Sequence, residues 1–145
     1  FNGSGIYAQA GSNGHTFAGN YIGAIATDGT ALALSEQNTD AGIFLFNSAG
    51  NTIGGATTVD RNVISGNGGD GVNLDGAGST GNTVIGNYIG VDASGRVAVG
   101  NGEEGVQLFN GASNNIVGQV GAGNILAGNG APGVGINGHA NNNTV

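Results

Sequence analysis

The sequence predicts an all-β chain wound as a right-handed parallel β-helix, a β-solenoid with three short strands per coil. Three observations carry that prediction. Short apolar–polar–apolar segments return at coil-sized intervals, Gly, Asn and Asp fill the stretches between them, and no segment holds a helical period. Gly supplies 33 of the 145 residues and charged residues only 8%, against about 25% in ordinary domains. A chain so poor in charge reads as disordered unless its apolar residues keep register. Here they do.

The first strand of each coil opens on a glycine. It reads Gly5-Ile6-Tyr7-Ala8, Gly42-Ile43-Phe44-Leu45, Gly71-Val72-Asn73-Leu74, Gly105-Val106-Gln107-Leu108 and Gly133-Val134-Gly135-Ile136. The leading glycines are 37, 29, 34 and 28 residues apart. Long and short steps alternate, so the larger unit is a pair of coils. The expected coils are 5–41, 42–70, 71–104, 105–132 and a partial 133–145, about four and a half in one domain.

A second strand follows 9 to 11 residues after each glycine: His15-Thr16-Phe17, Asn51-Thr52-Ile53, Asn82-Thr83-Val84, Asn114-Asn115-Ile116 and Asn143-Thr144-Val145. The third reads Asn20-Tyr21-Ile22, Asn62-Val63-Ile64, Asn87-Tyr88-Ile89 and Asn124-Ile125-Leu126. In odd coils the extra residues come after the third strand, at Ala24 to Asp40 and Val91 to Glu104. In even coils they separate the second strand from the third.

Stacking these strands about 4.8 Å apart gives four inward columns. They are Ile6/Ile43/Val72/Val106/Val134, Ala8/Leu45/Leu74/Leu108/Ile136, Phe17/Ile53/Val84/Ile116/Val145 and Ile22/Ile64/Ile89/Leu126. Parallel crossovers are right-handed in about 98% of cases, which sets the expected hand. The Asn that opens the second and third strands should stack into ladders, because a lone buried amide is costly and a stacked one is satisfied.

Composition excludes several functions. The net charge is −7, and Arg61 and Arg96 are the only permanent cations, whereas nucleic-acid binding needs clustered Lys and Arg. No apolar run approaches the ~18 residues of a membrane span, and no signal peptide is visible. Absence of Cys removes disulfides and thiolate metal sites. Beginning at Phe1 and ending at Val145 within a strand motif, the sequence reads as an excised or processed segment.

Gly50 to Gly55 (GNTIGG), Arg61 to Asn67 (RNVISGN) and Gly86 to Gly95 (GNYIGVDASG) resemble the right-handed parallel β-helix repeats of large bacterial secreted and surface proteins. The resemblance runs over nearly the whole chain. It implies the architecture of the pectin-lyase-like superfamily, which includes polysaccharide lyases, hydrolases, epimerases, phage tailspikes and adhesins. Fold alone does not choose among them. Coil one departs furthest from the pattern, with His15 in place of Asn and Ala8 in place of Leu.

Chemistry-bearing residues are sparse. Gly66 to Gly76 (GNGGDGVNLDG) nearly matches the calcium nonapeptide G-G-x-G-x-D-x-U-x, but Asn73 stands where the ligand Asp belongs, and no tandem copy follows. One corner cannot offer the six to eight oxygens of Ca²⁺, so Asp70 reads as a corner residue, as do Asp40 and Glu104, all just before a first strand. A hydrolase needs paired carboxylates on one face. Asp75 points outward from the first strand with Gln9, Phe46, Phe109 and Asn137 as column neighbours. Glu103 and Glu104 lie in an inserted corner, Asp60 and Arg61 read as a surface pair, and His15 and His139 fall on different corners. No catalytic residue, metal ligand or cofactor is therefore expected. What remains is a contact surface, lateral or for a glycan, of Tyr7, Phe44, Phe46, Asp75 and Phe109 on the first strand and Tyr21 and Tyr88 on the third.

The expected role is structural: an extracellular or cell-surface fibre, sheath or stalk segment that continues by end-to-end stacking. Its expected partners are identical copies, end to end or side by side, and glycans, without nucleic acid or membrane insertion. A carbohydrate-active β-helix enzyme or a non-catalytic adhesin is the alternative.

Overall fold

Glycine and asparagine turns break the chain into strands of two to four residues that pair only with their counterparts one coil away. The computed structural model describes residues 3–25 and 33–145. In chain order the strands are β1 (Ile6–Ala8), β2 (Thr16–Phe17), β3 (Tyr21–Ile22), β4 (Ile43–Phe46), β5 (Thr52–Gly54), β6 (Val63–Ile64), β7 (Val72–Asp75), β8 (Thr83–Ile85), β9 (Tyr88–Ile89), β10 (Val106–Phe109), β11 (Ile116–Val117), β12 (Ile125–Leu126) and β13 (Val134–Ile136). A 3₁₀ turn at Leu34–Glu36 is the helical element among the described residues. Part of the insertion from Ala24 to Asp40 lies outside the described residues.

Every third strand joins the same sheet. The orders are β1-β4-β7-β10-β13, β2-β5-β8-β11 and β3-β6-β9-β12, and all pairs are parallel. The molecule is therefore a parallel β-solenoid. Four steps separate the first and last strands of the first sheet and three those of the others, slightly fewer coils than expected.

Both inward columns of the first sheet hold in the expected register, Ile6↔Ile43↔Val72↔Val106↔Val134 and Ala8↔Leu45↔Leu74↔Leu108↔Ile136. So does Ile22↔Ile64↔Ile89↔Leu126 in the third. Ile43, Leu45, Ile53, Ile64, Val72, Leu74, Val84, Ile89, Val106 and Leu108 are all fully buried. Each contributes about 1.5–3 kcal/mol of apolar burial.

The second sheet departs from expectation by one residue in coil four. Val84 pairs with Val117, and Ile116 pairs with Thr83. Val117 is the buried residue and Ile116 faces outward, 40% exposed. The reason lies in the neighbouring asparagines. Asn115 enters the amide ladder, while Asn114 adopts a left-handed φ of 57° and lengthens the corner by one residue. Asn is among the few residues that accept that conformation.

Amide ladders run at three corners, one more than expected. Asn51, Asn82, Asn115 and Asn143 form the first, and Asn20, Asn62, Asn87 and Asn124 the second. The third, Asn38, Asn67, Asn101 and Asn129, stands before the first strand. Its members each precede the strand-opening glycine by four residues, a spacing that was legible in the sequence. In a full rung such as Asn82, the backbone N–H and Nδ2 both donate to Asn115 Oδ1, at 2.8 and 3.0 Å, and Nδ2 also donates to the Ser48 carbonyl of the preceding coil. At His15 a backbone N–H alone donates to Asn51 Oδ1.

Glycine is required where coils approach most closely. Gly54 has a φ of +89°, and a Cβ there would meet the Ile85 carbonyl and the Asn87 amide of the next coil.

Two substitutions test the register in coil four. Asn115→Ala deprives Asn82 of its acceptor and leaves buried amides unpaired, so unfolding free energy in urea should fall by about 3 kcal/mol. Asn114→Gly, which keeps the left-handed corner, should change it by no more than about 0.5 kcal/mol.

Candidate functional site

Side chains that alternate outward from the first sheet stack in the same register as the core, so this face brings coil-equivalent residues together. Tyr7 lies beside Phe44, with ring centroids 5.5 Å apart in an edge-on arrangement, and Phe44 lies 6.4 Å from Phe46. Tyr7 is 55% exposed and Phe46 39%. The next outward column runs Phe46↔Asp75↔Phe109. Asp75 Oδ1 accepts a hydrogen bond from Asn110 Nδ2 at 2.9 Å. Phe109 packs its ring edge against Gly138.

Tyr21 and Tyr88 belong to the third sheet, in the column Tyr21↔Val63↔Tyr88↔Ile125. The sequence-proposed contact residues therefore form two surfaces. Tyr21 is exposed. Tyr88 is partly covered: the Arg61 guanidinium sits 4.0 Å above its ring, and the turn at Gly95 lies against its edge. That turn belongs to the insertion after β9, closed by an antiparallel bridge between Val91 and Ala98. Asp92 organises it, accepting from Ser94 Oγ and from the backbone N–H of Arg96 and Val97. Those hydrogen bonds, that from Val97 foremost, hold its carboxyl below the usual carboxylate range.

Asp60 and Arg61, expected as a surface pair, instead serve different partners. Asp60 Oδ2 accepts from Thr57 Oγ1 at 2.6 Å and closes its own turn, while Arg61 Nε donates to the Gly86 carbonyl beneath Tyr88. Arg61 is the longer side chain and gains more by lying along an aromatic face than by reaching back into the turn.

The densest group of ionisable side chains among the described residues is one that the sequence reading left apart. Asp70, just before β7, and Glu103 and Glu104, just before β10, each place a carboxylate oxygen within 4.8 Å of the others. Asp70 is only 4% exposed. Its Oδ1 accepts from the Glu104 backbone N–H at 3.1 Å and its Oδ2 from Asn73 Nδ2 at 2.6 Å. Ala41 holds the equivalent position one coil earlier, and Asp40, one residue before it, accepts from Ser4 Oγ in an exposed setting. Equivalent positions stack, so Asp70 and Glu104 meet by register. That signal was present in their shared place before a strand-opening glycine.

Burial pushes the Asp70 carboxyl up to about 7; its hydrogen bonds from Asn73 and Glu104 pull it down, and the charges of Glu104 and Glu103 raise it further. An acid whose proton is held more tightly in the folded state stabilises the fold at low pH. Here the contribution is complete below the unfolded value of 3.8 and is lost as pH rises to about 7. In chelator-treated buffer, stability of the natural chain relative to Asp70→Asn should fall across that window and level off above it, as read by urea unfolding at several pH values.

Comparison with protein-family models, characterised proteins and solved structures finds no match to this chain.

Proposed function

We propose that the chain is a structural segment of an extracellular or cell-surface solenoid, part of a fibre, sheath or stalk in which coils continue by end-to-end stacking, and that it is not an enzyme. The observation that carries this reading is the direction of the ladders. Every internal rung donates toward the following coil. On the last rungs, Asn124, Asn129 and Asn143, Nδ2 donates only back to the preceding coil, to the Val84, Ile89 and Ala112 carbonyls. Asn20 Oδ1, on the first rung, accepts from no described residue.

One end thus presents donors and the other an acceptor. Unlike ends match, and like ends do not, which favours open head-to-tail growth over closed dimers. Apolar columns also surface at the later end, where Ile136 is 48% exposed and Val145 69%, and exposed strand edges recruit further strands. This end is a step. The first two sheets reach β13 and the bridge at Thr144, while the third stops at β12.

The contiguous Tyr7/Phe44/Phe46 surface, with Asp75 beside it, favours a second reading, glycan contact without cleavage. Aromatic faces flanked by hydrogen-bonding groups suit sugar rings.

Sedimentation and electron microscopy over a range of protein concentration test the first reading. Filaments with a repeat of about 20 Å, roughly four stacked coils, are expected, and Ile136→Asp should shorten or abolish them. A chain that stays monomeric at the highest concentration sinks the stacking of identical copies. A glycan array addresses the second reading. Binding lost in Phe46→Ala supports it, and cleavage of any arrayed polysaccharide would contradict the non-enzymatic assignment.

A further inference from the structure

We infer that Asp70, Glu103, Glu104 and Asn73 form a calcium site that clamps the corner before β7 to the corner before β10. The three carboxylates come from adjacent coils and lie within 4.8 Å of one another. Oxygens that share one Ca²⁺ at 2.3–2.6 Å stand up to about 5 Å apart, so a single ion spans this set without a change of fold. Both arginines are placed elsewhere, Arg61 over Tyr88 and Arg96 in the turn that Asp92 organises.

A second observation is independent of the charges. Asn73 Oδ1 is sealed from solvent and has no hydrogen-bond partner among the described residues. Its amide is held against the cluster, since Nδ2 donates to Asp70 Oδ2. A buried carbonyl oxygen left unpaired costs about 1–3 kcal/mol. A cation held between Asp70 and Asn73 would supply the partner that this oxygen lacks. Gly135 adds room on the far side, where a Cβ would crowd Glu104 Cγ at 2.9 Å and Gln107 Oε1 at 2.5 Å.

The ligand chemistry selects the ion. All the donors are hard oxygens, which suit Ca²⁺ or Mg²⁺ over transition metals. The set is irregular, and Glu103 is exposed, which leaves water to complete the shell. Ca²⁺ accepts six to eight oxygens in such an arrangement, while Mg²⁺ demands near-octahedral order. The nonapeptide reading asked one corner for every ligand. Here two corners share them, because coil stacking brings Glu103 and Glu104 onto Asp70.

The test uses the 145-residue chain after chelation, with calorimetric titration and thermal unfolding at about 1 mM Ca²⁺, where extracellular modules bind. One ion per chain and a rise in the midpoint of about 5 °C are expected. Both should be lost in the double variant Glu103→Gln/Glu104→Gln and kept in Asp75→Asn, whose carboxylate lies elsewhere on the same face. Glu103→Gln alone, at an exposed position, should weaken uptake about tenfold with the circular dichroism unchanged. No uptake, an equal rise from NaCl of matched ionic strength, or a rise that survives in the double variant overturns the site. An equal rise with Mg²⁺ overturns the choice of ion.

Discussion

A buried amide at each corner must find another amide one coil away, and the rest of the molecule depends on that requirement. Asn51, Asn62, Asn67, Asn82, Asn87, Asn101 and Asn115 are all essentially inaccessible to solvent. Each can be satisfied only with a coil on both sides, because Oδ1 receives from one neighbour and Nδ2 donates to the other and back to a carbonyl, or in Asn51 to Ser48 Oγ. Stability is therefore shared between adjacent coils, as in other solenoids. A coil whose ladder residue slips by one position loses three hydrogen bonds at once. The aliphatic columns, which a hydrophobic core alone would let slide, are pinned by this polar register.

The same register governs the outside. Whatever residue stands at a given place in one coil lies about 4.8 Å from its counterpart in the next. Where both are aromatic, as Tyr7 and Phe44 are, the result is an edge-to-face pair and a continuous apolar stripe. Where both are acidic, as at Asp70 and Glu104, like charges are forced together in a partly dry corner. A globular fold would separate such a pair by moving a loop. A solenoid cannot do so without breaking a ladder, since Asn67 and Asn101 stand three residues before them.

Insertions make the faces of the solenoid unlike. The turn from Asp92 to Val97 folds back over the third sheet and screens Tyr88, together with Arg61. Among the described residues, no such turn covers Phe46 and Tyr7 on the aromatic face of the first sheet, and both are exposed. Surfaces that looked equivalent as columns of large side chains thus differ in what they can touch. The difference comes from loops whose sequence carries no period.

The strand motifs, their parallel pairing, the four inward columns in all but one coil and the ladders were legible in the sequence, the third ladder only as a fixed spacing before the strand-opening glycine, because periodic burial forces a periodic pattern of residue types. The candidate surface was legible as columns but not as surfaces, since exposure depends on insertions. Tertiary structure alone decided between Asn114 and Asn115. Either choice buries one aliphatic residue and exposes another, and only the ladder from Asn82 to Asn143 breaks the tie. It also decided that Glu103 and Glu104 meet Asp70. Residues more than thirty positions apart come together only when the coil between them has a definite path, and that path is set by hydrogen bonds between coils rather than by any local preference of the chain.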